Sequence, residues 1–381
     1  MRKLEPPDPS ETVVESQMSW FRIPLARPMT DATHTLPAID VVTLRLRDGE
    51  GRTGLGYALG FDYSTDLLAA CVRSAGARTL GRPPTERRQV WSEAWEANEY
   101  LGRAGLLAWG VAVTDIAVAD LRCHQLGVPM HALFGGDARP VPAYGSGGWT
   151  SFTVDELVEQ TSDYVARGFT GVKVKVGDPD LRVDLDRVRA VRSTVGPAVR
   201  IMIDANQALS VIQARDLART LEPFDITWFE EPISADDLRG YQALRRDCPI
   251  PLALGERNYF AHSLRDFVET DATDIVMPDA IRIGGIDEWL ATAALAGSAG
   301  KGIAPHFYRE IDLQLSCAVD NVVFLEHFDW LDEIFDWDAT LEGGSYTPSA
   351  SPGLGLRVRP GLPPELLVEE HVARAPKDVT S

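Results

Sequence analysis

Three acidic residues recur at one interval in the middle of this 381-residue chain. Asp204 closes Arg-Ile-Met-Ile-Asp, Glu230 closes Ile-Thr-Trp-Phe-Glu, and Glu256 closes Pro-Leu-Ala-Leu-Gly-Glu, with 26 residues from the first to the second and from the second to the third. Each run is apolar and too short for a helix, and the interval is that of one strand plus one helix. Acids at the same phase of successive strand–helix units stand side by side at one end of a parallel sheet, where their mutual repulsion calls for a cation. One spacing therefore constrains fold and site together.

The flanking sequence extends the pattern. Strand candidates lie at 141–144, 171–176, 200–204, 226–230, 251–255, 274–277, 302–305 and 322–325, separated by helical faces such as Leu185, Val188, Val191 and Val211, Ala214, Leu217, Leu221. Eight strands alternating with helices predict an α/β fold with a closed barrel, a TIM-type (β/α) ring, over 136–341. Residues 1–135 read differently. Val42, Leu44 and Leu46 alternate with polar residues ahead of the Asp48-Gly49-Glu50-Gly51 turn, and helical periodicity runs from about Thr65 to Gln125, which predicts an α+β section. Within it, the proline-bearing stretch between Trp20 and Val41 is expected to be an irregular lid loop holding Arg27, Asp31 and His34. The segment 342–381, with a strand at 355–359, is expected to return to that first section. Residues 1–15 are expected to be a loose lead-in, and 373–381 a frayed end.

The formal net charge of −19 argues against a nucleic-acid partner, yet leaves room for an anionic small molecule at a locally positive site. The start lacks an apolar leader and no stretch is long and apolar enough for a membrane, so a cytoplasmic location is the expectation. Four well-separated cysteines form no CxxC pair, which offers neither zinc nor redox chemistry. No G-x-G-x-x-G follows a strand and no Walker A run occurs, so the nucleotide-binding α/β folds lack support.

Barrel sites are built at the C-terminal ends of strands. In chain order these positions carry Tyr144 and Ser146, Lys173 and Lys175, Asp204 and Asn206, Glu230, Glu256, Asp279, His306 and Glu326. Three carboxylates without adjoining histidine or cysteine suit Mg²⁺, with Mn²⁺ as a substitute. In Glu230-Glu231 either residue can be the ligand, and Glu230 ends the strand directly. Lys173 and Lys175 share a strand face, where mutual repulsion is expected to lower a lysine toward the range of a base. His306 and Asp279 end adjacent strands, close enough for the carboxylate to fix the imidazole tautomer. Glu326 is expected to act as an acid, with His327 pointing away.

The motifs Lys-Val-Lys at 173–175, Asp-Ala-Asn at 204–206, Glu-Glu-Pro at 230–232, Gly-Glu at 255–256, Met-Pro-Asp-Ala-Ile-Arg-Ile-Gly-Gly at 277–285, His306 and Leu-Glu-His at 325–327 together resemble the mandelate racemase subgroup of the enolase superfamily. The resemblance implies a modified (β/α)₇β barrel under a capping domain built from both termini. It implies Asp204, Glu230 and Glu256 as Mg²⁺ ligands, Lys175 as one base with Lys173 as its electrostatic partner, and His306 with Asp279 as the opposite acid/base. Glu326 would hydrogen-bond the substrate carboxylate. The implied chemistry is abstraction of a proton α to a carboxylate to form an enediolate. The expected outcome is dehydration of a sugar acid to a 2-keto-3-deoxy acid, with racemisation, epimerisation or cycloisomerisation as the alternative. Arg27, Asp31, His34, Tyr57, Ser146, Asn206 and Tyr308 are the expected substrate contacts, and their polarity favours a polyhydroxylated acid. The resemblance also implies a homo-oligomer, dimer to octamer. The sequence departs from the usual pattern at Asp120-Leu-Arg-Cys-His and at Phe307-Tyr-Arg-Glu.

Overall fold

In a computed structural model of the chain, which describes residues 8–376, the first section is an antiparallel sheet carrying three helices. The strands are β1 (Val13–Thr30), β2 (Thr35–Asp48) and β3 (Thr53–Gly60), and the helices α1 (Thr65–Ala77), α2 (Arg87–Ala97) and α3 (Leu106–Leu126). A Cβ at Gly54 or Gly56 would stand 2.2 Å from the carbonyl oxygen of Ala117 or Val113. β3 thus offers α3 its bare backbone, and helix and sheet lie closer than side chains would permit. From Ala112 to Leu121 α3 is buried on every face, as a core helix is. No helix of the described residues is long and apolar enough to cross a membrane.

The stretch expected to be irregular is instead strand. β1 and β2 pair out to Thr30↔Thr35, with one register shift between Pro24 and Met29. A bulge absorbs the prolines that cannot donate to the ladder, so the lid is the tip of a long hairpin. The lead-in ends at Val13, where β1 begins, and its residues before Asp8 lie outside the described residues.

After the short α4 (Met130–Leu133) the regular alternation starts. The strands β4 (Val141–Ser146), β5 (Gly171–Lys175), β6 (Arg200–Asp204), β7 (Ile226–Glu230), β8 (Leu252–Leu254), β9 (Ile275–Val276) and β10 (Gly302–Ile303) lie in sequence order. Every neighbouring pair is parallel. Between them run α5 (Val154–Ala166), α6 (Leu181–Val195), α7 (Val211–Leu221), α8 (Leu238–Asp247), α9 (Phe260–Glu269) and α10 (Ile286–Ser298). Capping boxes at Thr153–Glu156 and Ser210–Gln213 start α5 and α7, where they satisfy end-of-helix donors. After α11 (Arg309–Ser316), the last strand β11 (Leu325–His327) pairs in parallel with β4, and Val322 just before it bridges Ile303 of β10. The ring closes through this segment.

Its interior holds Tyr144, Met202, Trp228, Ala253, Met277, Ala304 and Phe324 as one apolar plug. Two residues further along the same strands, at the same phase of the pleat, come Ser146, Asp204, Glu230 and Glu326. Strand alternation alone carries these side chains to the mouth of the ring.

The tail adds β12 (Phe335–Trp337), β13 (Thr340–Glu342), β14 (Ser345–Thr347), β15 (Leu356–Val358) and β16 (Leu367–Arg374). β14 pairs with β4. The strand expected to return to the first section, β15, pairs with β12 instead, and β16 makes the return by covering the edge of β1 from Glu15 to Phe21. Ala373 and Arg374, expected to be frayed, belong to that ladder; residues from Lys377 onward lie outside the described residues.

Candidate active site

Asp204 and Glu230 are fully buried and Glu256 is nearly so. Each offers one oxygen to a group whose members all lie within 4.8 Å of one another. Glu231 does not join them. A left-handed backbone turn at this residue sends its carboxylate to accept from Arg257 Nε at 3.1 Å. Lys173 Nζ donates to Glu230 at 2.7 Å and sits 2.6 Å from Glu326; Lys175 Nζ donates to Asp204 at 2.5 Å.

This geometry reverses the expected effect of the lysine pair. Burial presses both ammoniums toward neutrality, but Glu230 and Glu326 hold Lys173 well above the ordinary lysine range. Against burial and Lys173, Asp204 together with Glu230 and Asp31 likewise holds Lys175 above that range. Carboxylate oxygens stand 2.5 to 2.7 Å from each ammonium, so attraction wins. That balance belongs to carboxylates with no cation between them. Glu326, expected as an acid, is held below the ordinary carboxylate range: burial opposes ionisation, and Lys173 with its neighbours overcomes it. Ser146 Oγ donates to Glu326 at 2.7 Å and the Phe307 N–H at 3.0 Å.

On the far side of the three acids, His306 Nδ1 donates to Asp279 Oδ2 at 2.9 Å. Asp279 Oδ1 accepts from the N–H groups of Ile281 and Arg282 at 2.9 and 2.8 Å, which fixes the carboxylate before it meets the imidazole. His306 Nε2 then faces the acids, 3.2 Å from Glu256 Oε2. His327 points out of the ring to Tyr346, Arg309 and Arg167.

Above these groups lies a cavity of about 200 Å³, bounded by Lys175, Asn206, Glu256 and His306 below and by Asp31 and His34 of the hairpin tip above. The tip is docked: Thr33 Oγ1 donates to the Asn206 carbonyl at 3.2 Å, and the Thr150 N–H to the Thr30 carbonyl at 2.7 Å. Four expected substrate contacts are elsewhere. Arg27 is half exposed, pairs with Glu156 at 2.6 Å and stacks on Phe152. Tyr57 is wholly buried and donates to Glu310 at 2.6 Å, while the Tyr308 hydroxyl accepts from the Leu59 N–H at 3.1 Å. Both tyrosines join β3 to the ring and do not line the cavity. Ser146 supports Glu326 from beneath.

Sequence reasoning missed Arg257, Arg282 and the aromatic wall of Trp149, Phe307, Phe328 and Trp330. Arg282 Nη1 donates to the Glu256 carbonyl at 3.1 Å and lies 3.6 Å from Asp279. Its signal was its place three residues after Asp279. Trp149 and Phe328 follow the ends of β4 and β11 by a few residues, so reading past the last strand residue finds them.

The residues fit a hard divalent cation. The donors are carboxylate oxygens. Burial chiefly, with Asp204, Glu326 and Glu256 adding to it against Lys173, pushes Glu230 well above the ordinary carboxylate range. Buried Asn206 Oδ1 and Glu231 Oε1 have no hydrogen-bond partner.

The chain is similar to known proteins. The family described as "Enolase C-terminal domain-like" matches residues 156–362. L-talarate/galactarate dehydratase of Salmonella typhimurium is 30% identical over 347 residues, 89% of this chain and 87% of that protein. 3,6-Anhydro-alpha-L-galactonate cycloisomerase of Streptomyces coelicolor is 32% identical over 308 residues, 80% of this chain and 85% of that protein. The crystal structure of L-talarate dehydratase from Polaromonas sp. JS666, complexed with Mg and L-glucarate, superposes with a TM-score of 0.88 at 31% identity, covering 96% of this chain and 100% of that one. With the ring, the strand-end acids and these matches in hand, the chain belongs to the enolase superfamily, in its mandelate racemase subgroup.

Proposed function

We propose that the protein is a Mg²⁺-dependent acid-sugar dehydratase. It removes the proton α to a carboxylate and releases the β-hydroxyl as water to leave a 2-keto-3-deoxy acid. The observation that carries this reading is the flanking of the three acids: Lys175 comes from β5 on one side, and His306 held by Asp279 comes from beyond β9 and β10 on the other. Relatives named as dehydratases of galactarate, arabinonate, gluconate and galactonate support the reaction class.

Mg²⁺ held by Asp204, Glu230 and Glu256 supplies positive charge that offsets the negative charge reaching the substrate carboxylate as the α C–H bond breaks. Lys175 Nζ takes the α-proton, and the C–H electron pair moves into the carboxylate to give an enediolate. Lys173, held between Glu230 and Glu326, keeps a second positive charge beside those oxygens. His306 then gives its proton from Nε2 to the β-hydroxyl as the C–O bond breaks and water leaves. Asp279 stabilises the imidazolium until that transfer. The enol product takes a proton at C3, gives up its C2 hydroxyl proton and becomes the keto acid. Asn206 and Asp31 contact the substrate from the cavity wall, and the docked tip excludes water. The sheet of β1–β3 and β16 with its helices acts as the cap over the ring.

Return of a proton to the opposite face by His306 gives racemisation or epimerisation instead, and the cycloisomerase relatives keep ring opening as the alternative outcome on the same enediolate. A screen of sugar acids for semicarbazide-reactive 2-keto product, with deuterium incorporation followed in D₂O, tests the proposal. Exchange without keto product moves the assignment to an isomerase; no exchange from any acid defeats the enolisation step. The same reading carries a cytoplasmic homo-oligomer, between dimer and octamer, which light scattering of the purified protein tests.

A further inference from the structure

The cavity changes character with distance from the three acids. Its charged members, Lys175, Glu256, Arg257, Arg282 and His306, gather at the reacting end. Arg257 is committed to Glu231 and Glu256, and Arg282 to Glu256 and Asp279. The remainder is largely apolar, with Asp31, His34, Asn206 and Tyr63 as its polar members. Trp149 lies over Lys175, whose Nζ is 5.6 Å from the ring centroid, and stacks on Trp330 at 5.4 Å. Phe328 stacks on Trp330 at 4.4 Å, and Phe61 meets it edge-on at 6.2 Å. Leu36, Leu59 and Leu68 line the cavity as well, all nearly or fully buried. Trp109 gives its indole N–H to the Tyr259 hydroxyl at 3.0 Å, so it presents carbon to the cavity.

Two of these polar groups are engaged within the protein. Asp31 Oδ1 accepts from the N–H groups of Thr33 and His34 at 2.6 and 2.7 Å, and the Tyr63 hydroxyl donates to the Thr35 carbonyl at 2.8 Å. No lysine or arginine lines the cavity besides Lys175, Arg257 and Arg282 among the described residues. A second carboxylate placed against this wall would lose its hydration to aromatic rings and leucines, and the cavity's lysine and arginines are already paired with carboxylates.

Resting on the dehydratase reading, we propose that this site takes a monocarboxylic acid sugar whose remote end is uncharged and offers C–H surface, a terminal deoxy carbon or the face of an anhydro ring, and that it rejects dicarboxylic sugar acids. Ring faces and leucines gain from C–H surface that sheds water, and a planar aromatic wall matches a hydrocarbon edge better than a charged terminus. This sets the chain apart from its talarate/galactarate relative, whose named substrate is a diacid.

Calorimetric titration of the full-length Mg²⁺-loaded protein with 2-hydroxyhexanoate and 2-hydroxyadipate tests it, since the two probes match at the reacting end and differ in a terminal methyl or carboxylate. The expected result is tighter binding of 2-hydroxyhexanoate by about tenfold or more. Equal or tighter binding of 2-hydroxyadipate, or no saturable binding of 2-hydroxyhexanoate, overturns the inference. Leu36→Arg, which sets a cation in the apolar wall, should reverse the order; an unchanged order in that variant overturns the placement of the remote end. Neither probe carries a β-hydroxyl, so these outcomes leave the dehydration reading to its own test in D₂O.

Discussion

Asp279→Asn is the substitution that separates the two proposed acid/base groups. The native carboxylate accepts from His306 Nδ1 at 2.9 Å and is itself held by two backbone N–H groups. Asparagine keeps the shape and can use its oxygen for the backbone donors. Its amide nitrogen then faces Nδ1 and donates to it, which moves the imidazole proton to Nε2, the atom turned toward the acids. The neutral ring loses its lone pair at the reacting position, and the imidazolium loses its counter-charge. With charge centres about 4 Å apart in a site of effective dielectric about 20, that counter-charge is worth about 4 kcal/mol, or about three orders of magnitude in rate. The assay is NMR-monitored deuterium exchange at the α-carbon for both configurations of an active acid. Exchange from the His306 face should fall by about 10³, while exchange from the Lys175 face persists and Mg²⁺ affinity holds. Equal losses on both faces, or retention of His306-face exchange within about tenfold, would refute the dyad argument.

Other expectations rest on different parts of the molecule. Gly56→Ala should destabilise the fold by about 3 kcal/mol in urea titration, because its Cβ would meet the Val113 carbonyl at 2.2 Å; a neutral result would mean that α3 shifts freely on the sheet. Asp120 is pushed up to about 7 by burial, against the N–H groups of Leu55 and Leu354. With the folded value above the ordinary 3.8, the folded state binds this proton more tightly. Its contribution is therefore full below about pH 4 and is lost as pH rises through about 7, by about 4 kcal/mol at most. The difference in unfolding free energy between wild type and Asp120→Asn, measured from pH 4 to pH 8, should carry that slope, and a flat difference would contradict it. Chelation by EDTA should abolish α-proton exchange, and Mg²⁺ at a hundredfold its Kd should restore it and add about 2.7 kcal/mol of stability. Glu256→Gln should blunt both responses, and full thermal stabilisation by Mg²⁺ in that variant would remove Glu256 from the ligand set.

Much of the ring was legible because its signals are local. Arg200–Asp204 and Ile226–Glu230 form strands with the expected bounds, since an apolar run of that length between amphipathic helices has few other uses. Alternation then dictates that a residue two beyond Met202 or Trp228 shares its face, which is how Asp204 and Glu230 reach the mouth without reference to any other segment. The lid was harder. Prolines in β1 suggested a break, and only pairing with β2 reveals that a bulge accommodates them. β15 alternates as a returning strand should, yet nothing in its own residues chooses between β12 and the first sheet.

The strand-end chemistry, with its acids, its two lysines and its histidine, is a property of sequence spacing, because strand phase is set within a few residues. What those groups feel is a property of the tertiary fold. Lys173 was expected to lower Lys175, and the acids brought in from β6, β7 and β11 raise both instead. Tyr57 and Tyr308 carry the hydroxyls a sugar would need, and packing turns them into struts. Phe61, Trp149 and the neighbouring Phe328 and Trp330 come from three distant parts of the chain and become one wall only when the ring closes and the hairpin docks. Electrostatic sign and cavity shape sum over neighbours brought from distant parts of the chain, so no local pattern could have stated them.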